Sequence, residues 1–233
     1  MNASPLRLDH LIVAARTLED GVQYVSDALG VAPTGGGAHP LMRTHNRLLG
    51  LWGGVYLEVI AVDPAAKSGT SSAANARARL FALDDPAVQA RLEQGPYLSH
   101  WVARVDPPKS LACWREQYPQ RIPALVPMTR GDFSWQLTVP ENGAFPAWQG
   151  AGDGILPSLI QWDTAHHPSQ VLADTGIALT SLTGFHREAQ AAREQLQWLG
   201  AAHLIAVEEA LSPALVAQFE TPSGPRTLGA PAR

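Results

Sequence analysis

LDHLIVAARTLEDGVQYVSDALG, residues 8–30, is the stretch on which the fold turns. LDHLIVAA alternates as a strand, with Leu8, His10 and Ile12 on one face. TLEDGVQYVSDALG then spaces Val22, Val25 and Leu29 as a helix. Thr17 is its cap, Asp20 follows three residues on, and Gly30 stops it. Downstream, TGGGAHP (34–40) reads as a glycine-rich turn region. THNRLLGLWG (44–53) and VYLEVIAVDP (55–64) read as strands joined at a tight Gly-Gly turn. The order is β-α-β-β-β, its second strand the least defined.

The pattern recurs. PYLSHWVARV is a strand, KSLACWREQYP a short helix, and FSWQLTVPE and LPSLIQWD two further strands. A third stretch, LTSLTGFHREAQAAREQLQWLG (179–200), repeats strand, loop, helix and Leu-Gly over nearly the length of the opening stretch. Ser181 stands there in the position of His10. LIAVEEA and ALVAQFETPSG follow as strands. The units run over about 6–64, 96–165 and 175–228. The segment SSAANARARLFALDDPAVQARLEQG between the first two is helical in composition and breaks near Pro86. Whether the third unit packs within the chain or builds a homodimer is open at this level.

The chain has 233 residues, 45% of them hydrophobic and 16% charged, the profile of a globular protein with a sizeable core. Its net charge of −4 includes no basic stripe, which argues against a nucleic-acid partner. A single cysteine, Cys113, rules out an internal disulfide and reads as a buried thiol between Ala112 and Trp114. No apolar run is long enough for a membrane span, and MNASPLRLDH has no signal-peptide pattern, so the expectation is a cytoplasmic protein. Phosphate-loop, Rossmann, HExxH and GxSxG motifs are absent.

Period-two alternation singles out four polar residues. Glu58 shares a face with Tyr56 and Ile60, His100 with Leu98 and Val102, and Gln161 with Leu159. With His10 they make one polar side chain from the first and last strand of each complete unit. A carboxylate on an apolar sheet face is costly unless paired or bound to metal. Two imidazoles, a carboxylate and an amide oxygen suit a divalent ion such as Zn, Fe, Mn, Ni or Co, with open positions for water or substrate. Each residue alone also fits a satisfied core or exposed position; Arg47, for one, is a candidate partner for Glu58.

DHLIVAARTLEDGVQYVSDALGVAP, HPLMRTHNRLLGLWGGVYLEVIAVDP and PSLIQWDTAHHP together resemble a glyoxalase-like domain of the vicinal oxygen chelate superfamily. The resemblance covers about residues 6–228 and is strongest over 8–63. It implies an α+β fold of repeated βαβββ modules whose curved sheets form a cleft, the whole chain being one domain with a shorter, module-like C-terminal unit. It also implies one divalent metal, held by His10, Glu58 and His100, with Gln161 where a Glu is usual. Glu58 is then ligand or base, and Gln161, whose amide does not titrate, argues against glyoxalase I chemistry. The expected activity is that of a metal-dependent lyase, isomerase or dioxygenase on a small substrate that chelates through vicinal oxygens. The alternative is a metal-free binding or sequestering protein, in which His10, Glu58 and His100 bond one another or the ligand directly.

His45 begins a strand beside the ligand strands and is a further catalytic candidate, whereas His39 reads as a solvated loop residue. Of the adjacent His166 and His167, at most one can turn inward. The loop NGAFPAWQGAGDG is a candidate lid, with Phe145 and Trp148 as its apolar contacts.

Overall fold

The computed structural model of the protein describes residues 6–66 and 77–230. The first module comprises β1 (Arg7–Ala14), α1 (Leu18–Leu29), β2 (Thr34–His39), β3 (Thr44–Leu51) and β4 (Val55–Val62). α1 forms as its signals predict. The Thr17 side chain accepts from the Asp20 N–H at 3.1 Å, and Gly30 closes the helix at φ 78°. Gly21 lets the helix lie close on β4, since a Cβ there would meet Val59 Cγ1 at 2.4 Å. The glycine-rich TGGGAH is not a turn but the edge strand β2.

After α2 (Pro86–Leu92), the second module runs β5 (Tyr97–Arg104), α3 (Leu111–Gln117), β6 (Leu125–Arg130), β7 (Phe133–Thr138) and β8 (Ser158–Trp162). Pro86 opens α2 rather than breaking a helix, because its missing N–H costs nothing in a first turn. The part of the connecting segment at 71–76 lies outside the described residues.

The two modules share one eight-stranded sheet, in the order β2-β3-β4-β1-β5-β8-β7-β6. In each, the first strand runs parallel to the last, and the modules join through antiparallel β1 and β5. At that joint His10 faces Val102 and Ile12 faces His100, so exchanging the modules carries one histidine onto the other. The paired ladder slips at Asp9 and again at Ser99. Each slip is a bulge of one extra residue immediately before the histidine. Past these bulges, Leu8 and Leu98 pack on the opposite face from His10 and His100, not beside them as strict alternation predicts.

One face of the sheet carries Leu11, Leu57, Trp101 and Leu159 and packs against α1 and the C-terminal unit. The other, concave face carries Ile12, Ile60, Val102, Leu137 and Ile160 around the cleft. The C-terminal unit consists of β9 (Ala178–His186), α4 (Ala189–Leu199), β10 (Ala206–Glu209), β11 (Ala214–Thr221) and β12 (Gly224–Leu228). It repeats the element order of a module but not its pairing: β10, not the last strand, lies parallel to β9, in a sheet ordered β10-β9-β11-β12. It packs within the chain, with Leu182, Leu196 and Phe219 entering the same core as Leu57 and Trp101. Among the described residues, no helix is long and apolar enough to cross a membrane.

Candidate functional site

The bulge in β1 turns consecutive side chains toward the same network. The His10 Nδ1–H donates to Asp9 Oδ1 at 2.7 Å, and His10 Nε2 faces Glu58 Oε2 at 3.3 Å. The other oxygen of Asp9 accepts from Trp162 Nε1 at 2.9 Å and lies 3.0 Å from His167 Nε2. Asn46 on β3 donates from Nδ2 to Glu58 Oε1 and accepts at Oδ1 from the Gly37 N–H at 2.9 Å and Arg130 Nη1 at 3.1 Å. The His10 ring stacks on Tyr56, with centroids 4.5 Å apart. Asp9, His10, Asn46 and Glu58 are all buried.

These contacts set the charges. Burial alone would lower the His10 pKa, but its hydrogen bonds to Asp9 and Glu58 push it up to about 9. Burial would likewise raise Glu58, yet His10 holds it at about 2. Asp9 is held well below the usual carboxylate range, against its burial, by His10 and His167. A cationic imidazole thus sits between two carboxylates, each charge satisfied at short range. His39, whose Nδ1 meets Thr44 Oγ1 at 3.2 Å, is kept neutral chiefly by burial.

The second module has the same frame with different chemistry. Val102 pairs with Ser158 as Ile12 pairs with Glu58, so the register makes Ser158, not Gln161, the counterpart of Glu58. Ser99 is the counterpart of Asp9. Asp9–His10–Glu58 is therefore matched by Ser99–His100–Ser158. The His100 Nδ1–H donates to Gly154 O at 3.1 Å, while Nε2 accepts from the Ser158 N–H at 3.1 Å and lies 3.0 Å from Ser158 Oγ. Its ring packs between Phe81 and Phe145 and is fully buried, which brings its pKa down to about 3.

Of the four residues expected to meet at a metal, the structure brings His10 and Glu58 together and leaves the other two apart. Both ring nitrogens of His100 are committed. Gln161 shares a face with Leu159 as read, but that face is the helix side. Its Oε1 accepts from the Leu111 N–H at 2.9 Å and its Nε2 donates to Lys109 O at 2.8 Å, holding the start of α3. Among the described residues, no group of three or more His, Cys, Asp and Glu side chains is placed to hold a metal ion. The four-ligand set does not fit this arrangement of donors.

The cleft spans about 370 Å³ with its open, solvent-filled mouth included, and His10, Glu58, Asn46, Arg130, Trp135 and Trp162 are among its lining. His45 does not line it; it is half-buried between the buried Thr44 and Asn46. His39, read as solvated, is buried and does line it. His167 turns inward and His166 stays exposed. Phe145 covers His100, while Trp148 instead stacks on Arg121 opposite Trp198, at 4.3 and 4.0 Å from the guanidinium carbon. Cys113 is exposed rather than buried. Asp9, Asn46 and Arg130 escaped the sequence reading; for Asn46, the alternation with Thr44 and Leu48 was available.

A family model described as a glyoxalase-like domain matches residues 8–200. Among solved structures, a hypothetical protein from Staphylococcus aureus is similar over 96% of this chain and 85% of its own, at 17% identity and a TM-score of 0.57. Methylmalonyl-CoA epimerase from Mycobacterium tuberculosis is similar over 71% of this chain and 94% of its own, at 16% identity and a TM-score of 0.41. Its Streptomyces coelicolor namesake, in complex with 2-nitronate-propionyl-CoA, is similar over 69% and 100%, at 14% identity and a TM-score of 0.40. No curated protein matches the chain.

Proposed function

The chain belongs to the glyoxalase-like domain family, within the vicinal oxygen chelate superfamily, and on that premise we propose that it binds a small molecule in the cleft through its own side chains. The observation that carries this reading is the Asp9–His10–Glu58 chain at the cleft floor, 2.7 and 3.3 Å between partners. It presents fixed hydrogen-bonding charge to a ligand without a four-ligand metal centre. A general acid or base works best with a pKa near the operating pH. Here His10 is held far above neutrality and Glu58 far below it, which favours holding a ligand over moving a proton.

A second reading keeps a metal-dependent enzyme, with His10 and Glu58 as two protein ligands and the substrate supplying others. It is favoured by their contact across the paired first and last strands, where Glu58 stands opposite Ile12, two residues beyond His10. One experiment separates the two. Protein purified without a chelating tag is analysed by plasma mass spectrometry, beside His10→Ala. Thermal shifts with small carboxylic acids and diols are then recorded with and without EDTA. Chelator-insensitive stabilisation, lost in Glu58→Gln, is the expected result. Stoichiometric metal that disappears in His10→Ala, with ligand shifts that require it, sinks the binding reading.

A further inference from the structure

We propose that Arg130 is the anion anchor of the cleft and that the ligand is a small, flat, apolar monocarboxylate; this rests on the direct-binding reading above. The first support is charge accounting. The other cations at the cleft floor already have carboxylates: His10 lies between Asp9 and Glu58, and Arg104 pairs with Asp106 at 3.2 Å and approaches Asp9 at 3.9 Å. Arg130 also lines the cleft, yet among the described residues no carboxylate lies within 4.0 Å of it. Its protein bond is to a neutral partner, Asn46 Oδ1 at 3.1 Å. A guanidinium carries five donors in a planar fork that matches a carboxylate, so most of them are left for a ligand.

The second support is how the arginine is held. Arg130 ends the edge strand β6 and reaches across to β2 at the opposite edge of the sheet. A Cβ on Gly37 would lie 3.2 Å from Arg130 Cδ, so the glycine run of β2 leaves the passage for the stem. Asn46 then fixes the head, while its amide nitrogen serves Glu58. Arg130 and Glu58 thus share one amide between them. That places a negative charge beside the anchor and disfavours a dianion such as a phosphate monoester.

The rest of the wall is largely apolar and aromatic. Trp135 and Trp162 lie with ring centroids 5.2 Å apart, and Phe81, Met128, Leu137 and Ile160 continue the lining. A small aromatic acid with one carboxylate meets both features.

The test is isothermal titration with 2-naphthoate and its neutral isostere 2-naphthamide, with phenyl phosphate as the dianion control. Wild-type protein is expected to prefer naphthoate over naphthamide by about tenfold or more, the range of a charge-assisted bond against a neutral one. Phenyl phosphate is expected to bind more weakly than naphthoate. Arg130→Met keeps the stem and removes the charge, and is expected to bind acid and amide alike. Thermal unfolding of that variant confirms its fold, and Arg130→Lys is expected to restore part of the preference. Equal binding of acid and amide by wild type, an acid preference that survives in Arg130→Met, or tighter binding of phenyl phosphate than of naphthoate overturns the inference. If neither naphthyl compound binds but a non-aromatic polar ligand does, independent of chelator, the inference fails and the direct-binding reading stands. If stoichiometric metal at His10 governs all binding, the reading itself fails.

Discussion

Asp9→Asn tests the site at its base. The carboxylate accepts from His10 on one oxygen and meets Trp162 and His167 on the other, and it is fully buried. An amide in its place offers a single acceptor oxygen. If that oxygen keeps Trp162 and His167, the new NH₂ confronts the protonated Nδ1 of His10, donor against donor. The imidazole must then lose its proton or its partner. Breaking a buried ion pair on one side costs about 3 kcal/mol, the low end of the usual range, because neutral His10 could still accept from the amide. With a urea m-value of about 3 kcal/mol/M for a chain of this size, the midpoint falls by about 1 M. The control is Asp106→Asn, which removes a half-exposed partner of Arg104 and should cost under about 1 kcal/mol. Urea curves at pH 7 by circular dichroism give both numbers. Equal midpoints for the two variants would show that Asp9 is not the hub of a buried charge network.

Three further outcomes follow from the same geometry. His10 has a folded pKa raised from 6.5 to about 9, so its contribution to stability is whole below pH 6.5 and lost as the pH rises toward 9. Urea midpoints across that window should decline in wild type and decline less in Asp9→Asn; an equal slope in both refutes the coupling. Gln161→Leu should cost about 1–2 kcal/mol by stranding the Leu111 N–H, yet leave ligand affinity unchanged in a titration calorimeter, because the side chain supports α3 rather than the cleft. Gly36→Ala should cost about 1–3 kcal/mol in thermal unfolding, since Gly36 holds φ +90° and a Cβ would fall 2.2 Å from the Asn46 carbonyl oxygen; a silent substitution there would mean that β2 moves freely.

The first module was the most legible part of the chain because its elements announce themselves: alternation in β1 and β4, a capped amphipathic α1, glycine at its end. β2 and β6 lacked those marks. TGGGAH has almost no side chains to alternate, and LVPMTR carries Pro127 in a strand that the sheet tolerates because it is an edge. The matched stretch at 179–200 foretold a strand and a helix, but pairing is decided by distant partners, and there β10 took the place beside β9. At the site, alternation found His10 and Glu58. It could not find Asp9, because a bulge suspends alternation where the side chain matters most. It also placed Gln161 and Leu159 together without saying which face looks into the cleft. That depends on register, which put Ser158 three residues earlier in the position of interest.

The twin halves of the sheet give the molecule an internal reference. Two imidazoles sit in the same backbone frame, one flanked by Asp9 and Glu58 and the other by Ser99 and Ser158, and their proton affinities lie on opposite sides of neutrality. In a nuclear magnetic resonance titration their ring signals should therefore bracket the working range, His10 shifting only in base and His100 only in acid. A ligand or metal arriving in the cleft disturbs the first and spares the second. A change in the whole fold moves both. The pair tells occupancy from unfolding in a single spectrum, with no label and no second protein.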